Sequence, residues 1–464
     1  MQTNASAAAP RRRIGLGTIV LLSCGGLLLL VVLAAVAFKI SGRRALNAEL
    51  AKIRAAGEPA SAAELEAYYQ SPPADRDTTQ LWLEAIAPLE TPQFQSDAQA
   101  LPIVGEEPGE IPLPGEPWPQ LEAAEQLLSK YGRSLELMHQ AARQGGRARF
   151  PTRFADGIAM DLSHVTKLRA GGRLLGLESA VEAHRGRPDA AVEAIETMFA
   201  AARSLEQEPS IISQAVRMGL GSFAGERAAW LLSADVLNDA HLARLDAELS
   251  AIDYGRPLRR GLLGERVQGI ELFANPAMFN EENDKRIDAL IAMGGDGDET
   301  MYLELMGELI AAADQSPLAR KRAAAYVNAQ LDQLAGSRLA AVSHLRTALL
   351  VPPSSALIES INRYEAGRDA TRAAVAFERF RLANGRLPEK FEELTSKLLD
   401  AVPIDPFDGG PLRYRVEASE YVIYSVGKDG TDQQGRSEPP DQADDIAVRV
   451  RYRQAPANSS APRE

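Results

Sequence analysis

DATRAAVAFERFRLANGRLPEKFEEL (residues 369–394), AVPIDPFDGGPLRYR (401–415), EYVIYSVGKDGTDQQG (420–435) and DDIAVRVRY (444–452) follow one another near the C-terminal end of a 464-residue chain. The change of period along these pieces decides the fold of the region. Ala374, Phe377, Phe380, Arg381 and Asn384 recur at helical spacing, and Ala376, Phe377, Phe380 and Leu382 supply the apolar side. Asn384-Gly385 is a helix stop, because glycine enters the left-handed region without a Cβ penalty. The period then falls to two. Leu412, Tyr414 and Val416 alternate with Arg413 and Arg415, and Tyr421, Ile423 and Ser425 alternate with Val422, Tyr424 and Val426. Glu417-Ala418-Ser419 reads as the hairpin loop between them. Ile446, Val448, Val450 and Tyr452 alternate with Ala447, Arg449 and Arg451, the pattern of a half-buried edge strand guarded by cations.

Upstream, from Leu121 to about Leu350, the chain is rich in Ala, Leu, Arg and Glu, with apolar residues three and four apart. Breaks fall near Gly145-Gly146, Arg187-Pro188, Glu208-Pro209, Asp235, Tyr254-Gly255, Asn275-Pro276, Gly294-Gly295 and Ser316-Pro317. The fold class is therefore mostly α: an all-α domain of helical hairpins, followed by a small α+β module with a short antiparallel sheet. Residues 174–205 read as one tetratricopeptide-type hairpin, but no second copy follows at a 34-residue period.

The N-terminal end reads differently. Residues 14–38 carry no charge, between Arg11-Arg12-Arg13 and Lys39, Arg43 and Arg44. About 20 apolar helical residues cross a bilayer, so this run is expected as a single transmembrane helix. Two rival readings are a lipoprotein box at Leu21-Leu22-Ser23-Cys24 and a signal-peptidase site at Ala35-Val36-Ala37. Cys24 is the only cysteine, so the rest of the chain has no disulfide. The expected organisation is a tail at 1–13, the anchor at 14–38, juxtamembrane helices at 39–90, a proline-rich acidic linker at 91–119 expected as an extended surface loop, the all-α domain at 120–353, the C-terminal module at 354–452 and a disordered tail at 453–464. The formal net charge of −12 argues against broad nucleic-acid affinity, which needs clustered cations.

The C-terminal motifs resemble those of the major pseudopilin of type II secretion systems. The matching residues are Asn384-Gly385-Arg386-Leu387-Pro388, Asp405-Pro406-Phe407 with Tyr414, Tyr421 through Gly430, and Asp444-Asp445-Ile446. The resemblance covers residues 370–452 and implies a calcium site at Asp429, Asp444, Asp445 and the carbonyl of Val426. Asp432 joins this acidic glycine loop as a further carboxylate, and calcium takes six to eight such oxygen ligands. The resemblance also implies placement outside the cytoplasm on a bacterial inner membrane, near a secretion or pilus-type assembly. The family's leader and the Glu of its first helix have no counterpart, since residues 14–38 contain no Glu.

Other polar clusters have plainer readings. Asp298 or Thr300 is expected to cap a helix after the acidic run from Gly294, and Asp161 with His164 to lie on a polar helix face. Glu265-Arg266 is expected to pair at the surface, and Gly219 and Gly221 to permit close helix packing. The functional expectation is a non-catalytic, membrane-anchored scaffold or adaptor with protein partners. The alternatives are a membrane-tethered enzyme with its site in the helical domain and a peptide-binding helical solenoid.

Overall fold

The computed structural model describes residues 16–105, 111–275, 295–395, 397–436 and 444–452. The expected tails at 1–13 and 453–464 lie outside them. Helix α1 (Leu16–Ala55) leads to three short helices, α2 (Ala62–Tyr68), α3 (Thr79–Ile86) and α4 (Pro92–Ala98). A bundle follows, made of α5 (Leu121–Lys130), α6 (Gly132–Arg143), α7 (Ser163–His184), α8 (Pro188–Ser204), α9 (Ile211–Leu232), α10 (Asp239–Ser250) and α11 (Gly255–Ala274). Then come α12 (Gly295–Ala312), α13 (Pro317–Ala335), the short α14 (Arg338–Ser343) and α15 (Leu345–Leu350), and the long α16 (Ser354–Asn384).

The local chemistry behind these bounds is simple. Pro188 and Pro317 open helices, where a missing N–H costs nothing. Gly146 turns the chain after α6 with φ 67°, and Gly385 closes α16 with φ 68°. At Gly146 a Cβ would also lie 3.1 Å from Ala200.

The expected transmembrane anchor is corrected: among the described residues no helix is long and apolar enough to cross a membrane. The uncharged run begins outside the described residues, and α1 turns polar at Lys39. Beyond that point α1 buries Leu46 and Ile53 in a core cluster with Tyr302, Met306 and Leu309 of α12. A second difference concerns 91–119. Its prolines do not keep it extended on the surface, for α4 forms within it, opened by Pro92 and capped by Thr91. Phe94, Leu101, Val104, Ile111 and Trp118 are buried, so apolar side chains between the prolines pin the segment to the bundle.

Three strands, β1 (Arg413–Val416), β2 (Glu420–Ser425) and β3 (Ile446–Arg451), form one antiparallel sheet in that order. Tyr414 faces Ile423, and Tyr421 faces Val450. The inner face of the sheet sits on α16. Phe377 stacks on Tyr421 at 5.3 Å and meets Tyr414 and Phe391 edge-on at 5.1 and 5.6 Å. Ala366, Ala370, Ala373 and Ala374 are buried along α16 in the turns ahead of Phe377, and the helix packs against α9 and α10. One hydrophobic cluster consequently runs from Leu174 and Ile195 through Leu231 to Phe377, Ile423 and Val448.

Asp405 fastens the loop ahead of the sheet. Its fully buried carboxylate accepts from Ser425 Oγ (2.8 Å), the Phe407 N–H (2.9 Å), the Val426 N–H (2.9 Å) and Arg413 Nη1 (3.4 Å). A buried carboxylate needs such donors to remain inside.

Because Phe377 belongs to sheet and bundle alike, Phe377→Ala should cost about 3–5 kcal/mol. Far-ultraviolet and tyrosine near-ultraviolet dichroism should lose their signals in one shared thermal transition. Two separated transitions would show that sheet and bundle fold independently.

Candidate functional site: a groove between α9, α16 and β3

Among the described residues, the carboxylates of the acidic loop are engaged in turns and ion pairs. Asp429 accepts from the Thr431 N–H at 2.8 Å and from Gln433 Nε2 at 2.7 Å. Asp432 accepts from the Gln434 N–H at 2.8 Å and pairs with Arg413 at 3.3 Å. Asp445 accepts from the Gly435 N–H at 2.6 Å, and burial holds its carboxyl above the usual range. Val426 contributes its N–H to Asp405, and Asp444 passes its backbone carbonyl close under Gly427. A hard cation needs several free oxygens converging on one point. These carboxylates instead tie turns, and no group of three His, Cys, Asp or Glu among the described residues is placed to hold a metal. Calcium binding thus stays what the motif resemblance implies, with no metal-holding group among the described residues to support it.

The remaining polar clusters are structural. His164 is buried and pairs with Glu208 at 2.9 Å, while Glu208 also takes the Thr152 hydroxyl. Asp161 turns away to accept from the Ser163 N–H. Asp298 is no cap: α12 has already begun, and the carboxylate accepts from Arg346 Nε at 3.0 Å and the Thr347 N–H at 3.1 Å. Arg266 is buried and pairs with Glu58 at 2.7 Å, far from the surface role expected of it. Deep burial demands partners for such groups, and each cluster ties two distant segments together.

The site that sequence reasoning missed is a groove of about 740 Å³ between α9, α16 and β3. Glycines open it. A Cβ at Gly221 or Gly367 would touch nothing within 4 Å, so Gly221 does not serve close packing as expected. One wall is the former linker segment, Ile111–Leu113. Trp230 Nε1 donates to the Ile111 carbonyl at 3.1 Å, and His184 Nε2 bonds the Pro112 carbonyl at 2.9 Å. His184 lies between Trp118, 4.9 Å away, and Trp230, 6.4 Å away. The other wall is α16, with Arg363, Tyr364, Gly367 and Arg368. The edge of β3 closes the end.

The charge of the groove opposes that of the chain. Arg227, Arg363, Arg368, Arg449 and Arg451 line it, against Glu116 and Glu226. Arg368 is committed to Asp369 at 2.8 Å and to the Ile252 carbonyl at 3.0 Å. Arg449 pairs with Glu420 at 3.2 Å. Arg363 is exposed and makes no hydrogen bond or ion pair among the described residues. Burial pushes the Glu226 carboxyl above its ordinary range, partly offset by Arg227 and the Ser222 hydroxyl.

No family model, curated protein or solved structure matches this chain. The motif resemblance over 370–452 therefore has no matched relative through which secretion or calcium binding could be carried onto it. Of the missed groove, only the helix-interior glycines at 221, 225 and 367 left a signal in the sequence, since glycine is poor in helices without a packing or functional reason.

The direction of the Glu226 shift fixes a sign. Its folded pKa lies above the unfolded one, so the fold favours the protonated form, and that stability is lost as pH rises from the usual carboxylate range through the folded pKa. Glu226→Gln should match the parent's melting temperature near pH 4 and exceed it at pH 8. A variant less stable than the parent at pH 8 would show that the ionised carboxylate is needed.

Proposed function

We propose that this chain is a non-catalytic adaptor that holds an acidic segment of a partner protein in the groove between α9, α16 and β3. The observation that carries this is the arginine-lined, glycine-opened groove in a chain of net charge −12. Charge of one sign focused in a cleft selects ligands of the other sign and speeds their encounter. An aromatic wall at Trp230 and Tyr364 offers apolar area to the same ligand. Catalysis is the less favoured reading. Glu226 is the only groove carboxyl with a resolved shift, and the buried His164–Glu208 pair is fully occupied by hydrogen bonds rather than facing the groove. Nucleic acid is disfavoured by the overall negative charge, which opposes an extended polyanion outside the groove.

The test is fluorescence anisotropy of the full chain with a labelled peptide of alternating Val and Glu. The controls are the same peptide with Lys for Glu and an oligothymidylate of equal charge. The Val/Glu peptide should bind and perturb tryptophan emission through Trp230, while the Lys peptide and the oligonucleotide should not. Arg363→Glu should weaken binding about tenfold, since it reverses one uncommitted charge at the lip. Gly367→Leu should block the groove while leaving the melting temperature unchanged or raised, because the helix gains a better former. Equal binding of the Val/Glu and Val/Lys peptides, or tighter binding of the oligonucleotide, would overturn the reading.

A further inference from the structure

We infer that the occupant binds as an added β-strand along β3, with its acidic side chains on the Arg449 and Arg451 face. This rests on the groove reading above and specifies how the ligand is held. Among the described residues β3 is an edge of the sheet, since the order is β1-β2-β3. The direction of its backbone groups follows from two bonds. The Arg451 N–H donates to Ser233 Oγ, at the C-terminal end of α9, at 3.1 Å, so it points away from β2. On the other side of the sheet, the Glu417 N–H donates to the Glu420 carbonyl, so Glu420, the partner of Arg451 in the register, spends its backbone on the β1 side. Antiparallel ladders alternate strictly. Val450, Val448 and Ile446 therefore bond β2, while the N–H and C=O groups of Arg449 and Ala447 point outward. Beyond the sheet ladder, Ala447 and Arg449 make no backbone bond among the described residues. Both residues line the groove.

An unpaired edge of this kind is a template for another strand. Ser233 caps it at Arg451, which leaves the Ala447–Arg449 stretch as the open template. The side chains then set the ligand's chemistry. Val448 packs inward toward α16, and Arg449 and Arg451 lie on the opposite face. A paired strand repeats that alternation, so it should place apolar residues beside Val448 and acidic ones beside the arginines. The same arginines would oppose self-pairing of the edge: a second β3 would bring like charges together, whereas an acidic strand brings opposite ones.

The experiment uses the full chain and three labelled Val/Glu peptides: unmodified, N-methylated at every Val amide, and N-methylated at every Glu amide. In a strand, only one of these two sets of amides faces β3. One methylated peptide should lose binding by more than about tenfold and the other should bind like the parent. An equal effect of the two, whether none or complete loss, overturns strand addition while the unmodified peptide's binding leaves the groove reading intact. If the unmodified peptide also fails to bind, the groove reading itself falls. Ala447→Pro provides a second check. It deletes an outward N–H and leaves the β2 ladder whole, a substitution tolerated on edge strands. With an unchanged melting temperature it should weaken the unmodified peptide about tenfold, and full-strength binding by this folded variant overturns the inference.

Discussion

One helix has to serve two partners, and the rest of the molecule is arranged around that constraint. Helix α16 packs against α9 and α10, buries a run of alanines from Ala366 to Ala374, and a turn later sets Phe377 against the sheet. Neither partner covers α16 alone, so both must be present for its apolar surface to leave water. The three-stranded sheet is too small to bury much on its own, and α16 supplies the second layer it requires. Tyr421 completes the joint. It is fully buried on β2, and its hydroxyl donates to the Glu378 carboxylate of α16 at 3.0 Å and reaches the Ala374 carbonyl at 3.2 Å. Burial pushes the Glu378 carboxyl up, and Arg381 beside it works in the opposite sense.

The groove is a geometric consequence of this sharing. The sheet is fixed to α16 by one face, and its edge strand β3 comes to lie beside α9. Ser233 draws β3 close at Arg451, while glycines farther along α9 and α16 remove the side chains that would otherwise fill the gap. The segment around Ile111 then closes the side, held by Trp230 and His184. Elsewhere several buried charges are paired across long sequence separations, as in Glu58–Arg266, Asp298–Arg346 and His164–Glu208. Those pairs specify which segments meet. Arg363 has no such partner among the described residues, and that separates the groove's lip from the structural network.

Much of the local structure was legible in the sequence because its signals are local. The helix stop at Asn384-Gly385, the hairpin at Glu417–Ser419 and the prolines opening α8 and α13 depend on the φ angle and donor count of single residues. The alternation of Tyr421, Ile423, Val448 and Val450 likewise fixes one face of the sheet. Roles that depend on distant partners were not legible. Asp298 looks like a cap until Arg346 and Thr347 arrive from another part of the chain. The prolines of 91–119 suggested an exposed loop, because proline content says nothing of where Ile111 and Trp118 will land. Residues 14–38 read as an anchor by composition, although no described helix meets the length and apolarity needed. The calcium reading of the acidic loop came from the motif resemblance, and the donors that engage Asp429, Asp432 and Asp445 became visible only in three dimensions. The groove escaped notice because its walls come from three separated segments, joined by nothing that recurs in the sequence.

The working surface of the chain, on this account, is the outward edge of β3 within the groove. Amide hydrogen exchange of the full chain, read by mass spectrometry of short fragments with and without a saturating Val/Glu peptide, examines it most directly. New protection is expected at Ala447 and Arg449, with little change at Val448 and Val450, whose amides already bond β2. Protection that appears elsewhere while the Ala447–Arg449 amides exchange as before would contradict the account.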